Sequence, residues 1–161
     1  MYIRIRNTRD RKFASALKTA VNIMSQHLFS KQMLPYLSFT IQVMDKLDVN
    51  GYCCPADLVR PREFEIEIQR RKHKLDMIGT LAHEMVHAKQ FAYGELRDRY
   101  LNKRMVTLWH GQYPGPLSYW EQPWEIEAFG LEPSLVAKFL NQSGLYAYFK
   151  TSRQLWAEDN T

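Results

Sequence analysis

The segment Leu81-Ala82-His83-Glu84-Met85-Val86-His87-Ala88 constrains this chain more than any other stretch of it. Asp76 is suited to cap a helix N-terminus and Gly94 to end one, so the spacing predicts a helix from Asp76 to about Tyr93. On that helix Ile78, Leu81, Met85, Ala88 and Ala92 form an apolar stripe roughly opposite His83 and His87. One face would anchor in a core while the other presents two imidazoles a turn apart, where residues i and i+4 lie one above the other. Rings so placed can direct nitrogens at a single zinc ion, at ~2.0–2.1 Å each. Glu84 is rotated about 100° from His83 around the axis. Its carboxylate lies beside the metal without being forced to bind it, where a base that deprotonates a zinc-bound water belongs. By chance a His-Glu-x-x-His would arise in about one chain in a hundred, and few such matches would fall in a capped amphipathic helix. Coincidence is the weaker explanation.

A catalytic zinc normally has three protein ligands and one open position. Three candidates for the third ligand lie downstream: His110, Glu125 and Glu127. The two glutamates fall in Pro123-Trp124-Glu125-Ile126-Glu127-Ala128, where Pro123 suits the first turn of a helix. They are about 200° apart on it, so only one can face the metal. Here the sequence resembles zincin metallopeptidases of the glutamate-ligand (gluzincin) kind, in which a second helix carries a glutamate in an E-x-x-A or E-x-E-A context. Aligned on Ala128, the resemblance implies Glu125 as ligand and Glu127 as a supporting or surface residue. The acidic residue that family often has one turn further on is replaced by Phe129. Trp109-His110-Gly111 is similar to what SprT-like metalloproteases carry at their third histidine, although a Pro/Gly loop follows it in place of their helix.

The resemblance covers roughly residues 76–129. Together, HExxH and the PWExEA-like helix also look like small metallopeptidases of phages and bacteria, which implies one minimal catalytic domain over 1–161. What it implies for function is zinc-dependent hydrolysis of peptide bonds in a protein or peptide substrate, with Glu84 as the base. Rival expectations are an SprT-like DNA-associated protease or regulator, and a zinc-binding module without catalysis. By analogy with zincins, an extended substrate would add to an edge strand near the helix, with Phe64 to Gln69 as the candidate. Tyr113, Tyr119 or His110 could stabilise an oxyanion. His27 and His73 receive no functional role.

The remainder reads as the frame for this helix. Tyr2, Ile3 and Ile5 alternate with arginines as a short strand, and Phe13, Leu17, Val21, Met24 and Leu28 recur at helical spacing between about 10 and 31. Leu37 to Met44 and Glu63 to Gln69 alternate with period two, the glutamates of the second facing solvent. Asn50-Gly51 suggests a hairpin leading from the first of these into Tyr52 to Ala56. Met105 to Trp109 is a further short strand. The helix begun at Pro123 is expected to break near Gly130 and Pro133 and resume to Leu140, with a last helix over about 145–157. Strands grouped beside separate helices predict an α+β domain with helices on one small mixed or antiparallel sheet.

At 161 residues the chain can bury a core without disulfides. Cys53 and Cys54 are adjacent, rarely bridge each other, and read as reduced thiols of a cytoplasmic protein. No apolar run approaches the ~20 residues of a membrane span, and no secretory signal is visible. The net charge of +5 is concentrated in Arg4, Arg6, Arg9, Arg11 and Lys12 and in Arg70 to Lys74. These basic segments leave nucleic acid open as a partner but are equally the profile of a solvated surface.

Overall fold

The computed structural model describes residues 1–101 and 103–150. The chain opens with β1 (Tyr2–Arg6) and α1 (Arg11–Leu28), whose start is capped by the Asp10 carboxylate accepting the Phe13 N–H at 2.9 Å. Then come β2 (Ser38–Met44), β3 (Gly51–Pro55), β4 (Glu63–Gln69) and α2 (Lys74–Tyr93). An antiparallel pair, β5 (Leu96–Leu101) and β6 (Arg104–Trp109), precedes α3 (Pro123–Ser143) and the single turn α4 (Tyr146–Phe149). This is a mixed α+β fold, as the sequence predicts.

The main sheet has the order β1-β2-β4-β3, with β1, β2 and β4 parallel and β3 antiparallel to β4. The Asn50-Gly51 turn therefore does not make a hairpin of β2 and β3; β4 is inserted between them. The residue types explain the exchange. Phe64, Ile66 and Ile68 of β4 are all buried and need neighbours on both sides. β3 (Gly-Tyr-Cys-Cys-Pro) has little to bury and ends in a proline that has no N–H for a ladder, so it suits an edge. It follows that β4, the strand expected to receive a substrate, is not an edge strand; β3 is.

One face of the sheet packs Phe39, Ile41, Val43, Phe64, Ile66 and Ile68 into the core. The register places Arg4, Thr40, Glu65 and Cys54 in one row of the opposite face, and Arg6, Gln42, Glu67 and Tyr52 in the next. That face stays polar and outside the hydrophobic core, which accounts for the alternating glutamates of β4.

The three long helices pack against one another on the apolar face, with α2 in contact with both α1 and α3. α2 begins at Lys74, so Asp76 lies in its first turn and does not cap it. Its end is as expected: Gly94 closes it at φ 71, a left-handed conformation that glycine adopts without steric cost. The amphipathic reading underestimates its burial, because Met77 to Gly79, Leu81 to Ala88 and Gln90 to Ala92 are all buried. α3 covers the face that carries the histidines.

α3 is one continuous helix and is not interrupted at Gly130 or Pro133. An internal proline costs about 3 kcal/mol. Burial of Ala128, Leu135 and Phe139 along one side offsets that, since a fully buried large apolar side chain contributes about 1.5–3 kcal/mol. β5 is an element the sequence did not suggest: Leu-Arg-Asp-Arg-Tyr-Leu is mostly charged and polar and is held by its pairing with β6. Of the expected last helix only Tyr146–Phe149 is seen, and 151–157 lie outside the described residues. No helix among the described residues is long and apolar enough to cross a membrane.

Ile66 is fully buried at the centre of the sheet, and Glu65 beside it faces outward. Ile66→Ala should lower the unfolding free energy by about 2–5 kcal/mol, while Glu65→Ala should change it by no more than about 0.5 kcal/mol. Urea unfolding of both variants checks this, and equal midpoints would contradict the assigned faces.

Candidate metal centre

Neighbouring turns of α2 present His83 and His87, and the first turn of α3 brings Glu125 against them. All three are buried. His83 Nε2 lies 3.2 Å from His87 Nε2 and 3.1 Å from Glu125 Oε2, and His87 Nε2 lies 3.4 Å from Glu125 Oε1. Donor atoms bound at 2.0–2.1 Å to one tetrahedral ion stand about 3.4 Å apart. The observed separations are already of that size. Their ligand atoms all fall within 4.8 Å of one another, so this buried group could hold a metal ion.

The other two third-ligand candidates are placed elsewhere. His110 is exposed in a turn at φ 47, its ring against Trp109, and does not belong to the group. Glu127 accepts hydrogen bonds from Lys89 and Gln90, at 2.9 Å each. The two glutamates thus point to different sides of α3, as their spacing requires.

Glu84 is buried beside the triad and is not a member of it. Burial raises its pKa to about 7, against the opposing pull of His87 and His83. A carboxyl group poised there is matched to accepting and returning a proton near neutrality. For His83, burial lowers the pKa, but hydrogen bonds to Glu125 and Glu132 outweigh it and the net result is about 9. Glu125 is pushed up by burial and pulled further down by its hydrogen bond to His83 and by His87 close beside it, so its carboxyl lies well below the usual range. The centre is therefore a hydrogen-bonded set of opposite charges, which removes much of the cost of burying them.

A cleft of about 1210 Å³ opens over these residues, walled by β3, α2, α3 and the β5–β6 hairpin. Tyr119 lines it and hydrogen-bonds Glu125; burial first, then that bond, raises the phenol pKa. Tyr113 and His110 do not line it. Phe129, one turn beyond Glu125, packs its ring 4.6 Å from that of His83. The carboxylate that supports His83 is instead Glu132, whose Oε2 is 3.4 Å from His83 Nδ1. Glu132 was not anticipated, although seven residues bring a side chain back almost to the face of Glu125. Gln90, 2.8 Å from His87 Nδ1, was missed as well, with the same seven-residue relation to His83.

Of the two basic segments, Arg71 reaches the wall of this cleft. Arg70 pairs with Asp45 at 2.6 Å and Arg71 hydrogen-bonds Asn50, so part of the second segment is engaged within the fold. No protein-family model, curated protein or solved structure matches this chain.

β3 lies close against α2 at Gly51. A Cβ there would stand 2.6 Å from Thr80 Cγ2 and 2.8 Å from Glu84 Oε1. Gly51→Ala should therefore displace the Glu84 carboxylate and cost about 1–3 kcal/mol through overpacking, while His83, His87 and Glu125 stay in place. Thermal unfolding together with metal content tests this; unchanged stability would mean that the strand does not press on the helix.

Proposed function

We propose that this chain is a zinc-dependent metallopeptidase of zincin-like fold that hydrolyses peptide bonds, with His83, His87 and Glu125 as the metal ligands and Glu84 as the base. The observation that carries this reading is the convergence of two imidazoles and one carboxylate at ligand spacing, beside a second carboxylate that is buried but outside the triad. Two nitrogens and one oxygen are a donor set that suits zinc, and three protein ligands leave a position for the reacting groups. A bound zinc ion supplies a Lewis acid that polarises the scissile carbonyl and lowers the pKa of a water toward about 7.

The protein's own groups do the rest. Glu84 takes the proton of the attacking water and delivers it to the leaving amine, a shuttle favoured by a carboxyl pKa near the working pH. Tyr119, on the cleft wall and bonded to Glu125, is the phenol best placed to donate a hydrogen bond to the developing oxyanion. An extended peptide would pair with the outer side of β3, since that strand borders both α2 and the cleft. Glu84 and the three ligand candidates are themselves nearly buried, which strengthens each of these interactions.

Removal of one functional group at a time separates binding from chemistry. Glu84→Gln should retain zinc and lose about 10²–10⁴-fold in turnover, whereas His83→Ala should lose the metal itself. Metal analysis and cleavage of a denatured-protein or peptide mixture read both. Full proteolysis by the Glu84→Gln variant would eliminate Glu84 as the base, and a protein that holds zinc yet cleaves nothing would favour a non-catalytic module.

A further inference from the structure

We propose that Gln90 is a positioning residue that fixes the tautomer of His87 and ties both helices of the centre to one side chain. The assignment rests on the metal-binding reading above. Gln90 is fully buried. Its Oε1 lies 2.8 Å from His87 Nδ1, and its Nε2 lies 2.9 Å from the Trp124 carbonyl and 2.9 Å from Glu127 Oε2.

The orientation of the amide follows from its partners. A backbone carbonyl and a carboxylate only accept hydrogen bonds, so the end of Gln90 that faces both must be the NH2 group with its two donors. The reversed amide would set oxygen against two oxygens in a buried place with no hydrogen between them. Oε1 therefore faces His87, and because it carries no hydrogen, Nδ1 of the ring must be the donor. A neutral imidazole has one N–H, so Nε2 is left with a bare lone pair. That nitrogen is the one turned toward His83 Nε2 and Glu125 Oε1. Gln90 thus selects the ring form that can ligate.

The same amide also indexes the other helix. Trp124, whose carbonyl it holds, is the residue immediately before Glu125 in the first turn of α3. Glu127 is fixed in turn by Lys89 at 2.9 Å, and Lys89 by Glu95 at 2.7 Å, at the start of the hairpin. Loss of Gln90 would release the ring of His87 and loosen the helix start that presents Glu125. Hydrogen bonds behind a metal ligand of this kind are worth about 10–100-fold in metal affinity.

The test compares wild type, Gln90→Leu and the exchange pair Gln90→Glu with Glu127→Gln. In the exchange pair the new carboxylate at position 90 still accepts from His87, and the new amide at position 127 donates to that carboxylate, so the polarity presented to the ring is kept while the bond to the Trp124 carbonyl is lost. Zinc and cobalt dissociation constants come from chelator competition, and the tautomer of His87 comes from ¹⁵N spectra of the metal-free proteins. We expect a hydrogen on Nδ1 in wild type and a loss of about 10–100-fold in affinity for Gln90→Leu. The exchange pair should recover part of it, and it carries the test if Gln90→Leu does not fold. An Nδ1 without hydrogen in metal-free wild type would overturn the assignment. So would wild-type affinity in Gln90→Leu, or an exchange pair that folds but binds no better than Gln90→Leu. Wild type that binds neither ion would instead overturn the metallopeptidase reading, while the spectra still decide what Gln90 does to the ring.

Discussion

Three ionisable side chains occupy the middle of a helix that is buried on nearly every side, and the surroundings of α2 answer that constraint. His83, Glu84 and His87 could not be enclosed by apolar neighbours alone, because a buried charge without a partner costs several kcal/mol. α3 meets the need by bringing Glu125 and Glu132 onto His83. Gln90, from α2 itself, answers His87, and the Lys89 bridges to Glu95 and Glu127 close the far side. The two histidines are thereby compensated, and the apolar core can pack around them without a break.

That compensation explains why the remaining elements lie where they do. α3 must run unbroken past Gly130, because Glu125 at its first turn and Glu132 two turns on both serve His83. β3 must be an edge strand and must begin with a glycine, because it borders α2 at the point where Glu84 lies. The hairpin matters for its first residues. Glu95 engages Lys89, and the His110 N–H returns to the Glu95 carbonyl at 2.7 Å, which fastens the hairpin base to the end of α2.

What could be read in the sequence was whatever depends on neighbours along the chain. The spacing of His83, Glu84 and His87 is a property of one helix, as is the stop at Gly94, and both are found as expected. Glu125 could be preferred to Glu127 only through a resemblance, and the structure separates them by what each touches. Strand order was not legible, since the alternation of β2 and β4 reports which face is wet and is silent about which strand lies beside which. β5 was hidden by its charges, because its partner lies across a turn and not within its own pattern. Gln90 and Glu132 look like ordinary polar residues until the helix faces are combined in three dimensions. Asp76 shows the opposite failure: a good capping residue is bypassed when the chain enters the helix two residues earlier.

The arrangement also bears on whether a metal here would hold the fold together or act in the cleft. Structural zinc sites are usually closed by four protein ligands, and small domains that depend on them lack a core of their own. This chain has a continuous core running from Phe13 and Leu17 through Ile41 and Ile66 to Phe139, well stocked without any metal contribution. The described residues assemble three donors, and the same residues line a cleft large enough for a peptide. Glu84, held beside those donors with a pKa raised by burial, adds nothing to cohesion that an apolar residue would not supply better. A buried carboxyl group that weakens the core is intelligible where a proton must be moved, and that asymmetry between cost and structural return is the strongest physical argument for chemistry at this site.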